Sequence, residues 1–216
     1  MADFAVIGLG RFGRAVARSL ALSGQAVLAV DRDPRRLEQV ADEVDSVVAA
    51  DTTDERRMKA LDLRRMACVV VTIGSRAMEA SLLTTAILRD LGVPRIVARS
   101  FDERHARLLL AIGAHEVLNP EDEIGRRLAL TLAHPGVLGQ LPLGASAVAE
   151  IEAPEAFAGR RLDELDLVSR HGVAVLAIRR GDGLQPCPPP AATVESGDAL
   201  VLLGDGGALR RLAALK

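Results

Sequence analysis

The hexapeptide Gly8-Leu9-Gly10-Arg11-Phe12-Gly13 stands between an apolar run, Phe4 to Ile7, and an amphipathic stretch from Arg14 to Leu22. Glycine at its first position allows a tight turn, and at the second it lets backbone approach a ligand. At the third it lets a helix pack close to a strand. A second apolar run, Ala26 to Val30, ends at Asp31. A glycine-rich hexapeptide alone says little. Strand, glycine turn, helix, strand and terminal acid in this order specify a βαβ unit that opens a dinucleotide-type fold. In that fold N–H groups at a helix N-terminus hold phosphates and the acid accepts from ribose hydroxyls. Gly8, Gly10, Gly13 and Asp31 are therefore expected to take an adenine nucleotide.

The same alternation continues to about residue 120. Strands are expected at Phe4–Ile7, Ala26–Val30, Ser46–Ala49, Cys68–Thr72, Arg95–Ala98 and Glu116–Leu118. Helices between them carry start and stop signals. Asp33-Pro34 places a cap before a proline at the first helical position, Thr52-x-x-Glu55 fits a capping box, and Asp102 precedes a helix that stops at Gly113. Strands alternating with helices imply an α/β fold, a Rossmann-like doubly wound parallel sheet. After a helix over Glu121–Ala133 the composition shifts to Pro and Gly. Residues 135–146 are expected to be a linker or hinge. They divide a nucleotide-binding lobe, 1–134, from a small α+β lobe, 147–216. In the latter, strands are expected at Ala147–Ile151, Val173–Arg179 and Ala199–Leu203, with helices at Leu162–Ser169 and Gly207–Leu215.

At the expected C-terminal edge of the first sheet, strand ends gather the remaining candidates. Arg32 follows Asp31. Asp51 and Thr52 end the third strand, Ile73 and Gly74 the fourth, and Arg99 the fifth. Asp31 repels a 2′-phosphate and so favours NAD, ATP, ADP or AMP over NADP, although Arg32 beside it works the other way. Arg11 in the glycine loop and Arg99 on the rim are candidate phosphate partners with surface roles as the alternative. Glu121, Asp122 and Glu123 open a helix, where three acids suit the dipole or, as the sharper alternative, a Mg²⁺ ion accompanying phosphates.

Composition excludes several classes. A net charge of −2, with no Trp and no Tyr, provides neither electrostatic pull nor stacking platforms for nucleic acid. Two cysteines, Cys68 and Cys187, make no disulfide framework. The four histidines lack zinc spacing. No apolar stretch approaches bilayer length, and no signal segment opens the chain, so a soluble protein of the reducing cytoplasm is expected. No catalytic acid, base or nucleophile stands out, and the chain is read as a non-enzyme. An NAD-dependent oxidoreductase is the competing class, but it requires a substrate lobe presenting an acid or base.

The motif Gly8 to Gly13, then Val30-Asp31 and Ala50-Asp51-Thr52-Thr53-Asp54, resembles the nucleotide-binding lobe of RCK domains, cytoplasmic regulators of potassium conductance in bacterial Ktr and Trk systems. Val71 to Gly74, Ser81 to Thr85, Ile112-Gly113-Ala114 and Asn119-Pro120-Glu121 continue the likeness. Gly159 to Leu165, Gly172 to Arg180 and Gly197 to Gly204 extend it into the family's C-terminal lobe. A single copy with Arg11-Phe12 is more similar to the Ktr type than to the tandem Trk type. The resemblance implies a subunit that binds ATP or ADP and assembles as dimers into an octameric ring. The ring docks beneath a membrane-embedded potassium-translocating subunit, which places the chain at the inner face of the cell membrane. It further implies that Arg11 reaches phosphates at a dimer interface, that Asp31 holds ribose, that Arg99 is a basic phosphate-side residue, and that Glu121 attends a cation. Phe12 belongs to the same loop. An NAD(H)-binding Trk-type regulator is the nearer alternative. Some relatives also bind cyclic di-AMP between paired C-terminal lobes, for which Pro186 to Pro190 departs from the expected pattern.

Overall fold

The computed structural model describes residues 3–74 and 77–215. In the first unit, which ends at Glu121, strands β1 (Phe4–Ile7), β2 (Val27–Asp31), β3 (Ser46–Ala49), β4 (Cys68–Val71), β5 (Ile96–Arg99) and β6 (Glu116–Leu118) alternate with helices. These are α1 (Arg11–Leu22), α2 (Pro34–Glu38), α3 (Glu55–Ala60), α4 (Met78–Asp90) and α5 (Glu103–Ile112). Every pairing is parallel, and the strand order is β3-β2-β1-β4-β5-β6. The chain steps outward from β1 to one edge, then returns to lay β4 on the other side of β1. Loops leaving β1 and β4 therefore diverge to opposite faces, which opens a crevice at their C-terminal ends.

Period-two alternation divides the strand residues between two cores. Val6, Val27 and Ala29 pack with Leu9, Ala17, Leu37 and Val40 on the α1–α2 face. Ala5, Ile7, Leu28 and Val30 pack with Met58, Leu63, Leu88 and Leu109 on the other. A sheet covered on both faces needs near-continuous apolar strands, which these are. Cys68 is buried as a small hydrophobe, and burial pushes its thiol up.

Helix boundaries follow local chemistry. The Asp33 carboxylate accepts from the Arg35 amide ahead of Pro34, and Asp102 accepts from the His105 amide. One expected cap is different. Asp54, not Thr52, caps α3, accepting from the amides of Arg56 and Arg57. Thr52 is buried, with its hydroxyl 2.8 Å from that of Thr84. A short Asp side chain directly before the helix reaches the free amides, and Thr52 lies two residues too early.

Helix α6 (Pro120–Ala133) carries the chain out of the first unit into the second. The segment expected to be a linker, 135–146, is instead largely strand: β7 (Val137–Leu143) pairs antiparallel with β8 (Ser146–Glu152) through a turn at Gly144, where φ is +60°. Pro142 is tolerated because β7 is an edge strand. Two short helices, α7 (Leu162–Leu165) and α8 (Leu167–His171), replace the single one expected. Asp166, in the left-handed region, breaks them apart. Strand β9 (Val173–Arg180) turns at Gly181 into β10 (Gly183–Pro186), an additional strand that ends at the first proline of the stretch Pro186 to Pro190. Strand β11 (Ala199–Asp205) and helix α9 (Gly206–Ala213) close the chain. The antiparallel order is β10-β9-β11-β8-β7, over a core of Ile151, Leu200, Leu202, Leu209 and Leu212.

Candidate functional site

The glycine turn is built under tight steric control. Gly8 has φ +91°, a conformation that disfavours any side chain. At Gly13 a Cβ would lie 2.0 Å from the Gly8 carbonyl oxygen and 2.4 Å from the Thr72 hydroxyl, so α1 approaches the turn only because no side chain intervenes. Thr72, just past β4, locks the turn from the far side. Its hydroxyl shares its one proton between the carbonyls of Ile7 and Gly8, and its amide donates to the Ile7 carbonyl at 2.8 Å. No side chain caps α1 at Gly10, which leaves the first-turn amides directed at the crevice.

Asp31 is the hinge of this arrangement and is only 4% exposed. Its Oδ2 accepts from the Leu9 amide at 2.6 Å and from Arg36 at 3.4 Å, while Oδ1 accepts from the Asp33 amide at 2.9 Å. One carboxylate thus fixes the glycine loop and presents its remaining lone pairs to the cleft.

A cleft of about 780 Å³ opens at the C-terminal ends of the strands. It is lined by the expected Gly8, Gly10, Asp31, Arg32, Asp51, Thr52, Ile73, Gly74 and Arg99. Three expected residues stand elsewhere. Gly13 is buried behind the turn, and Arg11 is exposed as the first residue of α1. Phe12 lines a separate shallow groove along α1, and its ring centroid lies 5.7 Å from the Arg99 guanidinium. Arg99, at the end of β5, also donates to Glu121. The carboxylate of Glu121 therefore faces an arginine. Among the described residues no three His, Cys, Asp or Glu side chains group to hold a metal.

Sequence reasoning missed Arg36, Thr72, Glu79 and Leu83, all of which line the cleft. Arg36 was within reach of inference, being five residues beyond Asp31 on a helix whose start is legible. Glu79 and Leu83 gave no local signal, because only the packing of α4 beside β4 turns their shared face inward. The rim consequently alternates in sign, with Arg32, Arg36 and Arg99 among Asp31, Asp51 and Glu79. The Thr53 hydroxyl, and then its amide, hold the Asp51 carboxyl below its usual value against the opposing pull of burial, and Arg32 and Arg57 add to the effect. Such a cleft sets the backbone of a glycine turn beside carboxylates that can accept from hydroxyls or amines.

Comparison with known proteins agrees with this fold. A TrkA-N domain matches residues 4–120 and a TrkA-C domain matches residues 147–216. The chain is 35% identical over 203 residues to the Ktr system potassium uptake protein C of Bacillus subtilis (strain 168), covering 94% of this chain and 91% of the relative. It is 36% identical over 203 residues to the Ktr system potassium uptake protein A of Vibrio alginolyticus, covering 94% and 92%. Among solved structures, the GsuK channel superposes with a TM-score of 0.72 at 21% identity, covering 99% of this chain and 39% of that longer chain, which is a likeness of fold. A parallel sheet with a glycine-loop cleft, followed by a small antiparallel lobe and matched in both halves, places the chain in the TrkA-N/TrkA-C family of RCK proteins, among the Ktr-type relatives.

Proposed function

We propose that this chain is a nucleotide-sensing regulatory subunit that controls a membrane potassium transporter, with ATP and ADP as its ligands. The observation that carries the reading is the junction of the glycine turn and Asp31. One carboxylate orders the phosphate-facing amides through Leu9 and lines the cleft where ribose hydroxyls would lie. Arg32 and Arg99 line opposite parts of the rim, and Arg11 stands exposed outside its own cleft, suited to a phosphate on a neighbouring copy. A Mg²⁺ ion at Glu121 would be held jointly with ligand phosphates, because among the described residues no three acidic, His or Cys side chains group to hold a metal.

Regulation requires a second copy and a partner. Helix α6 leaves Ile124, Leu128 and Leu132 exposed at four-residue spacing, one apolar stripe fitted to self-association. We assign it to a dimer that builds toward an octameric ring. No described helix is long and apolar enough to cross a membrane. Action on a potassium-translocating partner would place the assembly at the inner membrane face. Cyclic di-AMP remains a candidate ligand of paired C-terminal lobes.

NAD(H) is the second reading, favoured by Ala80 and Leu83, which extend the cleft with apolar surface suited to a nicotinamide half. A thermal-shift titration with an extrinsic dye separates the two. At 100 times its dissociation constant a ligand adds about 2.7 kcal/mol of stability. Stabilisation by ATP and ADP, absent in Asp31→Ala, supports the proposal. Stabilisation by NADH alone replaces it with the dinucleotide reading.

A further inference from the structure

Arg99 occupies a place that neither the fold nor the glycine motif requires. It is the last residue of β5 and lines the cleft, yet its side chain is only 19% exposed. Two protein groups hold it there. The Phe12 ring lies 5.7 Å from the guanidinium carbon, and the guanidinium Nη2 donates to Oε1 of Glu121. Phe12 is the residue before Gly13 in the glycine loop, and Glu121 is the second residue of α6. One guanidinium at the rim of the cleft therefore connects the first turn of α1, just after the glycine turn, with the first turn of the helix leading to the second unit.

A guanidinium carries five N–H donors in a planar fork and binds carboxylate and phosphate through the same geometry. A ligand phosphate entering the cleft and the Glu121 carboxylate thus draw on one cation and repel each other across it. The ring of Phe12 keeps the cation from following either anion away. Glu121 is 61% exposed, so its share of the pair is the weaker one, screened by water, and it yields first.

We propose that Arg99 is a shared latch: occupation by a nucleotide's terminal phosphate weakens its hold on Glu121 and releases the first turn of α6, and Glu121 in turn opposes phosphate binding when no divalent cation bridges the two. This rests on the nucleotide reading above and adds the way in which the cleft communicates. Because coupling between two sites is reciprocal, it is measurable from the ligand side. Removal of the Glu121 charge must tighten a polyphosphate ligand, and only while Arg99 is present.

The experiment is calorimetric titration of the full chain with ADP and with adenosine, in EDTA. It uses wild type, Glu121→Gln, Arg99→Ala, the double variant, and Glu123→Gln as a control for net charge. The expected result is ADP binding about 5-fold tighter or better in Glu121→Gln. Arg99→Ala should weaken ADP binding. Arg99→Ala and the double variant should agree within about 2-fold. Glu123→Gln should match wild type, and adenosine should bind alike to wild type and Glu121→Gln. Unchanged or weaker ADP binding in Glu121→Gln would overturn the latch while leaving the nucleotide reading intact. Equal tightening in both Arg99 backgrounds, or by Glu123→Gln, would overturn it as well, since a general field would then suffice. Failure of wild type to bind ADP would remove the nucleotide reading and the latch with it.

Discussion

At the scale of single residues, Asp31 has two roles that substitution can separate. Its carboxylate satisfies the buried Leu9 amide whether or not a ligand is present. Asp31→Ala should therefore cost about 1.5–3 kcal/mol in the absence of nucleotide, read as a lowered Tm of the ligand-free protein. An unchanged ligand-free Tm would show that the loop holds itself. His105 offers a test by pH. It is fully buried and stacked on Phe101 at 4.1 Å, with both ring nitrogens lacking a hydrogen-bond partner among the described residues. Burial lowers its pKa below 6.5, against an opposing pull from Asp102. The folded state accordingly binds fewer protons than the unfolded one near that value, and stability present at higher pH is lost as pH falls through it. Tm should drop between about pH 7.5 and about pH 5.5, and His105→Phe, which keeps the stack, should drop less. Equal drops would assign the acid sensitivity to carboxylates elsewhere.

At the scale of elements, legibility followed the locality of the signal. The six parallel strands and the helices between them were readable because each is a short periodic run punctuated by its own caps. So was most of the cleft, since in this topology strand ends converge on one edge. Strand β7 was not readable. Gly136, Gly139 and Pro142 read as a linker, and what makes the segment a strand is pairing with β8, a tertiary fact. Thr52 failed as a cap for a local reason, since Asp54 stands directly before α3, and its actual partner, Thr84, is distant in sequence. Glu79 and Leu83 needed the placement of a whole helix. The junction of α1 with the sheet gives the sharpest prediction at this scale. Gly13→Ala places a methyl group 2.0 Å from the Gly8 carbonyl oxygen, so the turn must open and α1 must move. Nucleotide binding should be lost while far-UV circular dichroism is largely retained. Retained affinity would show that the turn tolerates displacement.

At the scale of the whole molecule, the exposed stripe of α6 is the surface proposed above for self-association. Leu128 is 57% exposed and Leu132 72%, an arrangement unsuited to a lone subunit in water. Leu128→Asp should shift sedimentation toward smaller species, and an unchanged distribution would move the dimer contact off α6. The two sheets carry a separate consequence. Each is assembled from one uninterrupted stretch of chain, and among the described residues each unit has hydrophobic clusters of its own. The glycine turn, its locking Thr72 and the whole parallel sheet lie before Asp122. A ribosome adding roughly 5–20 residues per second would release this part some seconds before the antiparallel sheet is complete. The nascent first unit can then close its core and engage cellular nucleotide while still tethered, so ligand binding would protect the half-made chain as well as inform the finished one.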